Sequence, residues 1–275
     1  MRVLLALLLA LPLLVSAQTS AQTSAQTSAQ TPASAPAAKP HAAGAAASAP
    51  AVAKRKLTAL AVTGEGIQLL TLQADRGNLT HAGSWQLSPG SLFDSELLAA
   101  VSDAVKAAAP DREIKTYTTS TRSLFGDPAG LFVDGKLTLP GTLGDALRQG
   151  GATHLFLVTR AQQAPALVPA LPDKIATPLE GAGFVIDLRP TGQIGIDGNP
   201  GLPILAAYLS LRVALVDMKD YRLVKEQSII VGQRLPVERG VANPFATMSP
   251  EARLAALKAL VAAELPQAIK ALLPK

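Results

Sequence analysis

The sequence predicts an α/β (α+β) fold, a single domain in which a mixed sheet carries a long antiparallel hairpin with helices packed on it. Three observations predict it. Leu209, Leu211, Val213 and Leu215 recur at every second residue with Ser210, Arg212 and Ala214 between them, the alternation of a strand with one apolar and one mixed face. After a turn at Met218-Lys219-Asp220-Tyr221 the chain returns through Ile229, Ile230 and Val231, β-branched residues that suit a pleated surface. Apolar stripes at helical spacing stand before and after these strands, at Phe93, Leu97, Val101, Val105 and Ala108 and again at Leu254, Leu257, Val261 and Leu265.

Taken in order, residues 57–62 and 67–72 read as two short apolar strands joined by Gly64-Glu65-Gly66, a predicted hairpin. Residues 75–83 read as polar loop, and Trp85 and Leu87 as extended chain. Ser91 followed by Asp94 gives a capping box for a helix that runs to Ala108 and is stopped by Pro110. Residues 114–121 are β-rich. Asp134-Gly135 stands between two short apolar runs, which is a hairpin signal. Thr142 with Asp145 gives a second capping box, opening a short helix that Gly150-Gly151 closes. Residues 154–158 (HLFLV) read as a buried strand. Residues 161–180 carry Pro165, Pro169, Pro172 and Pro178 and are excluded as a central strand. Strand resumes over 183–188, followed by a glycine-rich loop over 190–201 and then the long hairpin. Ser249 caps the last helix with Pro250 at its first position, and Pro266 should kink or restart it.

The stretch before residue 57 has another character. Arg2, an apolar run over residues 3–15 and the small pair Ser16-Ala17 have the form of a secretory signal cleaved after Ala17, the run being too short to span a bilayer. From residue 16 to 31 the chain repeats Ser-Ala-Gln-Thr, and Ala, Pro and Ser dominate to residue 53. Without bulky side chains to bury, residues 18–56 are expected to be a disordered linker, leaving 57–275 as the globular domain.

Charge excludes one class of partner. Of 25 Lys and Arg, five precede residue 57, whereas all 20 Asp and Glu follow it, so the globular part is formally neutral. The high pI belongs to the leader and linker, and no nucleic-acid footprint remains. The absence of cysteine excludes disulfides, thiolate nucleophiles and cysteine metal sites. His41, His81 and His154 lack metal-ligand spacing, and neither Gly-x-Ser-x-Gly nor Ser-x-x-Lys occurs. Asp187, Asp197, Asp217 and Asp220 are the acids available for paired-carboxylate hydrolysis, but loop and turn acids of this kind are usually solvated. Asp187, Asp197 and Asn199 are spaced too widely for an EF-hand calcium loop, and residues 190–201 match no nucleotide motif. No cofactor is expected. The apolar Pro-rich loop offers Leu167, Val168, Leu171 and Ile175 as candidate partner-contact residues. The other reading is that Leu167, Val168 and Leu171 fold back over the sheet as a lid.

Residues 154–158 after a Gly-ended helix, then YLSLRVALVD at 208–217, a turn, a return strand and a terminal helix resemble a group of envelope modules. These are the periplasmic α/β domains of curli-secretion lipoproteins, lipoprotein activators of penicillin-binding proteins and the TolB amino-terminal domain. Small secreted proteins of the same layout resemble it too. The resemblance covers residues 140–272 and, in part, 57–121, and no catalytic residues travel with it. This chain departs from the lipoprotein members by lacking the lipid-bearing cysteine. The resemblance implies a binding or assembly role in the envelope.

The expectation is therefore a periplasmic or secreted binding or assembly module with an envelope protein as partner, no catalytic activity and no transmembrane segment. The alternatives are a carboxylate-dependent hydrolase of envelope polymers and a structural subunit that oligomerises through an exposed edge of the long hairpin.

Overall fold

Strand β10 (Ile204–Asp217) is the axis of the sheet. One of its edges pairs along its length with β11 (Arg222–Leu235), antiparallel across the turn at 218–221. Its other edge is shared by two strands laid end to end. β7 (His154–Arg160) pairs from Leu211↔Arg160 to Asp217↔His154, and β9 (Leu179–Asp187) pairs from Ser210↔Gly181 to Ile204↔Asp187. Because Leu211 and Ser210 are adjacent, β7 and β9 make one strand line from which the chain departs and to which it returns. The excursion is closed at its base by β8 (Gln162–Gln163), which pairs with Leu179 and Glu180. The next row repeats the arrangement. β1 (Leu57–Val62) runs parallel to β7, and β2 (Gly66–Leu72) runs parallel to β9. Beyond them lie β4 (Ile114–Tyr117) beside β1 and β3 (Thr80–Gln86) beside β2. The computed structural model describes residues 56–64, 66–73, 80–86, 93–121, 123–126, 128, 130–164, 168, 171, 175, 177–189 and 201–274, all within the compact unit Val52–Lys275.

The two faces of the sheet are covered differently. On one face lie α1 (Phe93–Ala108) and α5 (Pro250–Leu272), whose Leu97, Val101, Val105, Leu257, Val261 and Leu265 meet Phe156, Val158, Leu209, Leu211 and Val213 in the main core. Each fully buried large aliphatic side chain here is worth about 1.5–3 kcal/mol. Trp85, Phe184 and Phe245 close its end with ring centroids 5.1–6.2 Å apart, and the Arg253 guanidinium lies 3.9 Å from the centre of Phe245. Phe245 belongs to the short helix α4 (Pro244–Thr247), capped by Asn243. The other face is divided. Leu60, Val62, Leu155, Leu157, Ala214 and Val216 are covered by Leu147 of α3 (Gly141–Gln149), by Leu124 of α2 (Ser123–Gly126) and by the small hairpin β5 (Phe132–Val133) and β6 (Lys136–Leu137). Leu70, Leu72, Val185, Ala206 and Tyr208 are covered instead by the excursion between β7 and β9. The face of β10 read as mixed is therefore buried as well, Ser210 and Ala214 included.

Several local expectations hold. Asp134 and Gly135 have φ of 50° and 73°, the left-handed pair that a two-residue hairpin turn requires. Ser249 Oγ accepts the Ala252 N–H at 3.1 Å, with Pro250 opening the helix. Others are corrected. β1 and β2 do not form a hairpin: each is parallel to a different half of the β7–β9 line, so both run in the same direction. Extended structure begins at Thr80, inside the stretch read as loop. The strand at 114 is shorter than the β-rich run that predicted it, ending at Tyr117. The capping box at Thr142 is absent, for α3 starts at Gly141 with Pro140 before it, and Asp145 pairs with Arg148 one turn on. Pro266 does not restart α5, which runs through it to Leu272. Its side chain is exposed, away from the core-facing stripe of the helix. Ser91, the linker and leader with Ala17, and the loop over 190–200 lie outside the described residues.

Candidate interaction site

Charged side chains gather where the chain leaves the sheet. A cleft of ≈ 310 Å³ is lined by Gly126, Pro128, Arg160, Gln162, Glu180 and Arg212. Arg160 donates to the carbonyls of Phe125 and Gly126, the latter at 2.9 Å, and its Nε lies 3.1 Å from Glu180 Oε1. That last contact is an ion pair and not an aligned hydrogen bond, since the Nε proton points elsewhere. Arg212 Nε donates to Glu226 Oε2 at 2.8 Å, and its guanidinium lies over the Phe132 ring at 4.6 Å. Both cations thus have counter-ions within the chain. The cleft is an internal junction that fastens the excursion and the small hairpin to the sheet.

A second polar cluster fixes the base of the excursion. The Tyr208 hydroxyl donates to Gln68 Oε1, which also accepts the Glu180 N–H at 3.1 Å, while Gln68 Nε2 donates to the Pro178 carbonyl at 3.2 Å. Burial pushes the Tyr208 phenol well above its ordinary pKa, so it remains a neutral donor. Gly183 makes room for this: a Cβ there would stand 2.3 Å from Tyr208 Oη and 2.6 Å from the Gln68 carbonyl.

The predicted site residues fall as follows. Val168, Leu171 and Ile175 are buried against Leu70, Leu72, Val185 and Tyr208, so their side chains cover the chain's own sheet instead of presenting an apolar patch. Leu167 lies outside the described residues. Asp187 is held by the Arg189 guanidinium at 2.6 Å. Asp217 and Asp220 accept the Lys219 and Arg222 N–H groups at 2.8 and 3.1 Å, which shapes the hairpin turn. His154 Nδ1 lies 3.1 Å from Thr153 Oγ1. His81 lies on β3, and His41, Asp197 and Asn199 lie outside the described residues. Asp94, read as a capping acid, instead accepts the Thr63 N–H at 3.0 Å and the Thr63 hydroxyl, tying the β1–β2 junction to the start of α1. Desolvation by burial raises its pKa, opposed by the Thr63 bonds. Among the described residues no group of three or more His, Cys, Asp or Glu is placed to hold a metal, and no helix is long and apolar enough to cross a membrane.

Among the described residues, what is left open is the outer edge of β11. That edge pairs with β6 at Arg222↔Lys136, where Leu223 N–H donates to the Gly135 carbonyl at 2.9 Å. Val224 is then passed over as a bulge, for Leu215 faces Lys225 and Val216 faces Leu223. From Lys225 to Leu235 no strand among the described residues pairs with the outer edge. Such an edge presents backbone N–H and C=O groups to any incoming strand. Usual protections are thin here. Residues 227–233 (QSIIVGQ) carry neither charge nor proline, and Val224 and Ile230 are exposed at 46% and 36%. This is the kind of exposed hairpin edge that the alternative of an oligomerising subunit requires.

No family model matches the chain, and no curated protein matches it in sequence. Among solved structures it is similar to a PelC dodecamer from Paraburkholderia phytofirmans, at 9% identity over 82% of this chain and 93% of that one, with a TM-score of 0.29. It is also similar to a DUF330-family protein from Xanthomonas campestris (10% identity, 80% and 81% covered, TM-score 0.36). A third similar structure is a neuraminyllactose-binding hemagglutinin homolog from Helicobacter pylori (10% identity, 80% and 83% covered, TM-score 0.36). None of these three is one of the envelope modules whose layout the sequence resembles.

Proposed function

We propose that this chain is an exported contact module that engages an envelope protein edge-on through β11 and performs no chemical step. The observation that carries the reading is the open edge from Lys225 to Leu235, since strand addition supplies affinity through main-chain hydrogen bonds and needs no catalytic constellation. The neighbouring acids support it: Asp187, Asp217 and Asp220 are each engaged in shaping the fold. In this reading the leader is cleaved after Ala17, residues 18–56 tether the domain, and Val168, Leu171 and Ile175 serve the fold and not the partner. The neutral balance of residues 57–275 and the resemblance to envelope modules agree with it.

The test is a comparison of the native chain with a Val224→Lys, Ile230→Lys variant in envelope extracts. Both positions are exposed, so the variant should keep its thermal midpoint and lose the partner, while a Lys258→Ala control retains it. Equal recovery of the partner by native chain and variant would refute the edge, and turnover of an envelope polymer by purified protein would refute the absence of chemistry.

A further inference from the structure

We infer that β11 is built to pair with β11 of a second copy, antiparallel and centred on Ile230. This rests on the reading of β11 as a contact edge and adds the partner and the register. The free, regular part of the edge is bounded by the Val224 bulge on one side and by Pro236 on the other, and Ile230 lies midway between them. A two-fold axis at Ile230 therefore uses the whole available edge and brings neither the bulge nor the proline inside the ladder. It also keeps the second copy clear of β6, which occupies the edge at Arg222.

The sequence on the two sides of Ile230 is self-complementary in that register. Ile229 faces Val231 of the second copy, Ser228 faces Gly232, and Gln227 faces Gln233. Glu226 faces Arg234, and by symmetry Arg234 faces Glu226, so two opposite-charge pairs flank an uncharged centre. Glu226 and Arg234 are both exposed, and Glu226 would bridge Arg212 of its own chain and Arg234 of the other copy. Moving the axis by one residue, the smallest shift that keeps facing side chains on the same side of the sheet, removes this match: Glu226 then faces Gly232 or Pro236. The occupant with matching apolar, small, amide and charged positions is the strand itself.

The absence of native cysteine makes the register directly measurable. In the full mature chain, Ile230→Cys places one thiol from each copy at the axis, and mild oxidation should give a covalent dimer rapidly. Val224→Cys, at the end of the ladder, should give little. Light scattering should show a concentration-dependent dimer for the native chain and a shift towards monomer for Arg234→Glu. Glu226→Arg together with Arg234→Glu should restore the dimer. Since Glu226 also holds Arg212, the cysteine pair provides the independent reading. A native chain that stays monomeric at every concentration overturns this inference. If the Val224→Lys, Ile230→Lys variant still loses its envelope partner, the contact module stands without it. A dimer that ignores Arg234→Glu and fails to cross-link at Ile230→Cys overturns both the register and the edge as the surface between copies.

Discussion

β10 and β11 are the two arms of one hairpin, equal in length at 14 residues each, yet they face opposite environments. Almost every residue of β10 is buried, on both faces, because strands flank both its edges and each sheet face is covered. Most of β11 is exposed, and Ile229 is its one fully buried side chain. The difference teaches that a β-branched run says little about burial by itself: Ile229 and Ile230 are neighbours in sequence, one inside and one at the surface. Position in the sheet decides, and the outer arm is where interaction can occur.

The sharpest way to break the contrast is to remove the same kind of side chain from each arm. Leu211→Ala on β10 empties space in the main core and should cost about 3–4 kcal/mol, whereas Val224→Ala on β11 should stay within about 0.5 kcal/mol in chemical denaturation. Next in size is Gly183→Ala. Its Cβ would collide with the Tyr208 ring on β10 and with backbone of β2, at a cost of about 1–3 kcal/mol. Tyr208→Phe in that background should relieve only part of it, because the Gln68 carbonyl remains in the way; a double-mutant cycle measures the share.

A third comparison sets a buried acid against an exposed one. Asp94 has a folded pKa raised above its ordinary value of 3.8, so the folded chain binds its proton more tightly than the unfolded chain does. Its contribution is full below that ordinary value and is lost as pH rises through the folded pKa. Asp94→Asn retains an oxygen for the two Thr63 donors and should flatten that fall in urea titrations across the acid range. Asp94→Ala strands the Thr63 N–H and should cost about 1–3 kcal/mol at all pH values. The smallest effect is expected from Glu226→Gln, which weakens the ion pair with Arg212 across the two arms. It should change stability by less than about 1 kcal/mol and the difference should shrink in salt.

Elements fixed by neighbours in sequence were legible. The period-two run from Leu209 to Leu215, the Asp134-Gly135 turn and the Ser249-Pro250 start of α5 all depend on residues a few positions apart. The β1–β2 hairpin was misread because Gly64-Glu65-Gly66 looks like a turn locally, whereas Asp94 holds the Thr63 backbone and β2 keeps the direction of β1. The Pro-rich stretch is excluded from a central strand by its prolines, yet Gln162–Gln163 form β8 and the central strand β9 begins at Leu179, four residues before the predicted resumption; nor was it legible as an excursion out of one strand line. That depends on Arg160 and Gly181 facing adjacent residues of β10, which no local pattern encodes. Likewise the Tyr208–Gln68 cluster joins residues far apart in sequence, and the glycine that makes room for it stands opposite Tyr208 only once β9 and β10 are in register.

The sequence by itself determined an α/β body without thiols, formally neutral, preceded by an Ala-, Ser- and Pro-rich arm, because composition and short-range periodicity act within a few residues. The tertiary structure alone decided which acids shape turns, which apolar loop residues lie inward, and that beyond its pairing with β6 no strand among the described residues fills the outer ladder of β11. Burial and strand pairing depend on what the rest of the chain places alongside, and that is set by contacts between residues tens of positions apart.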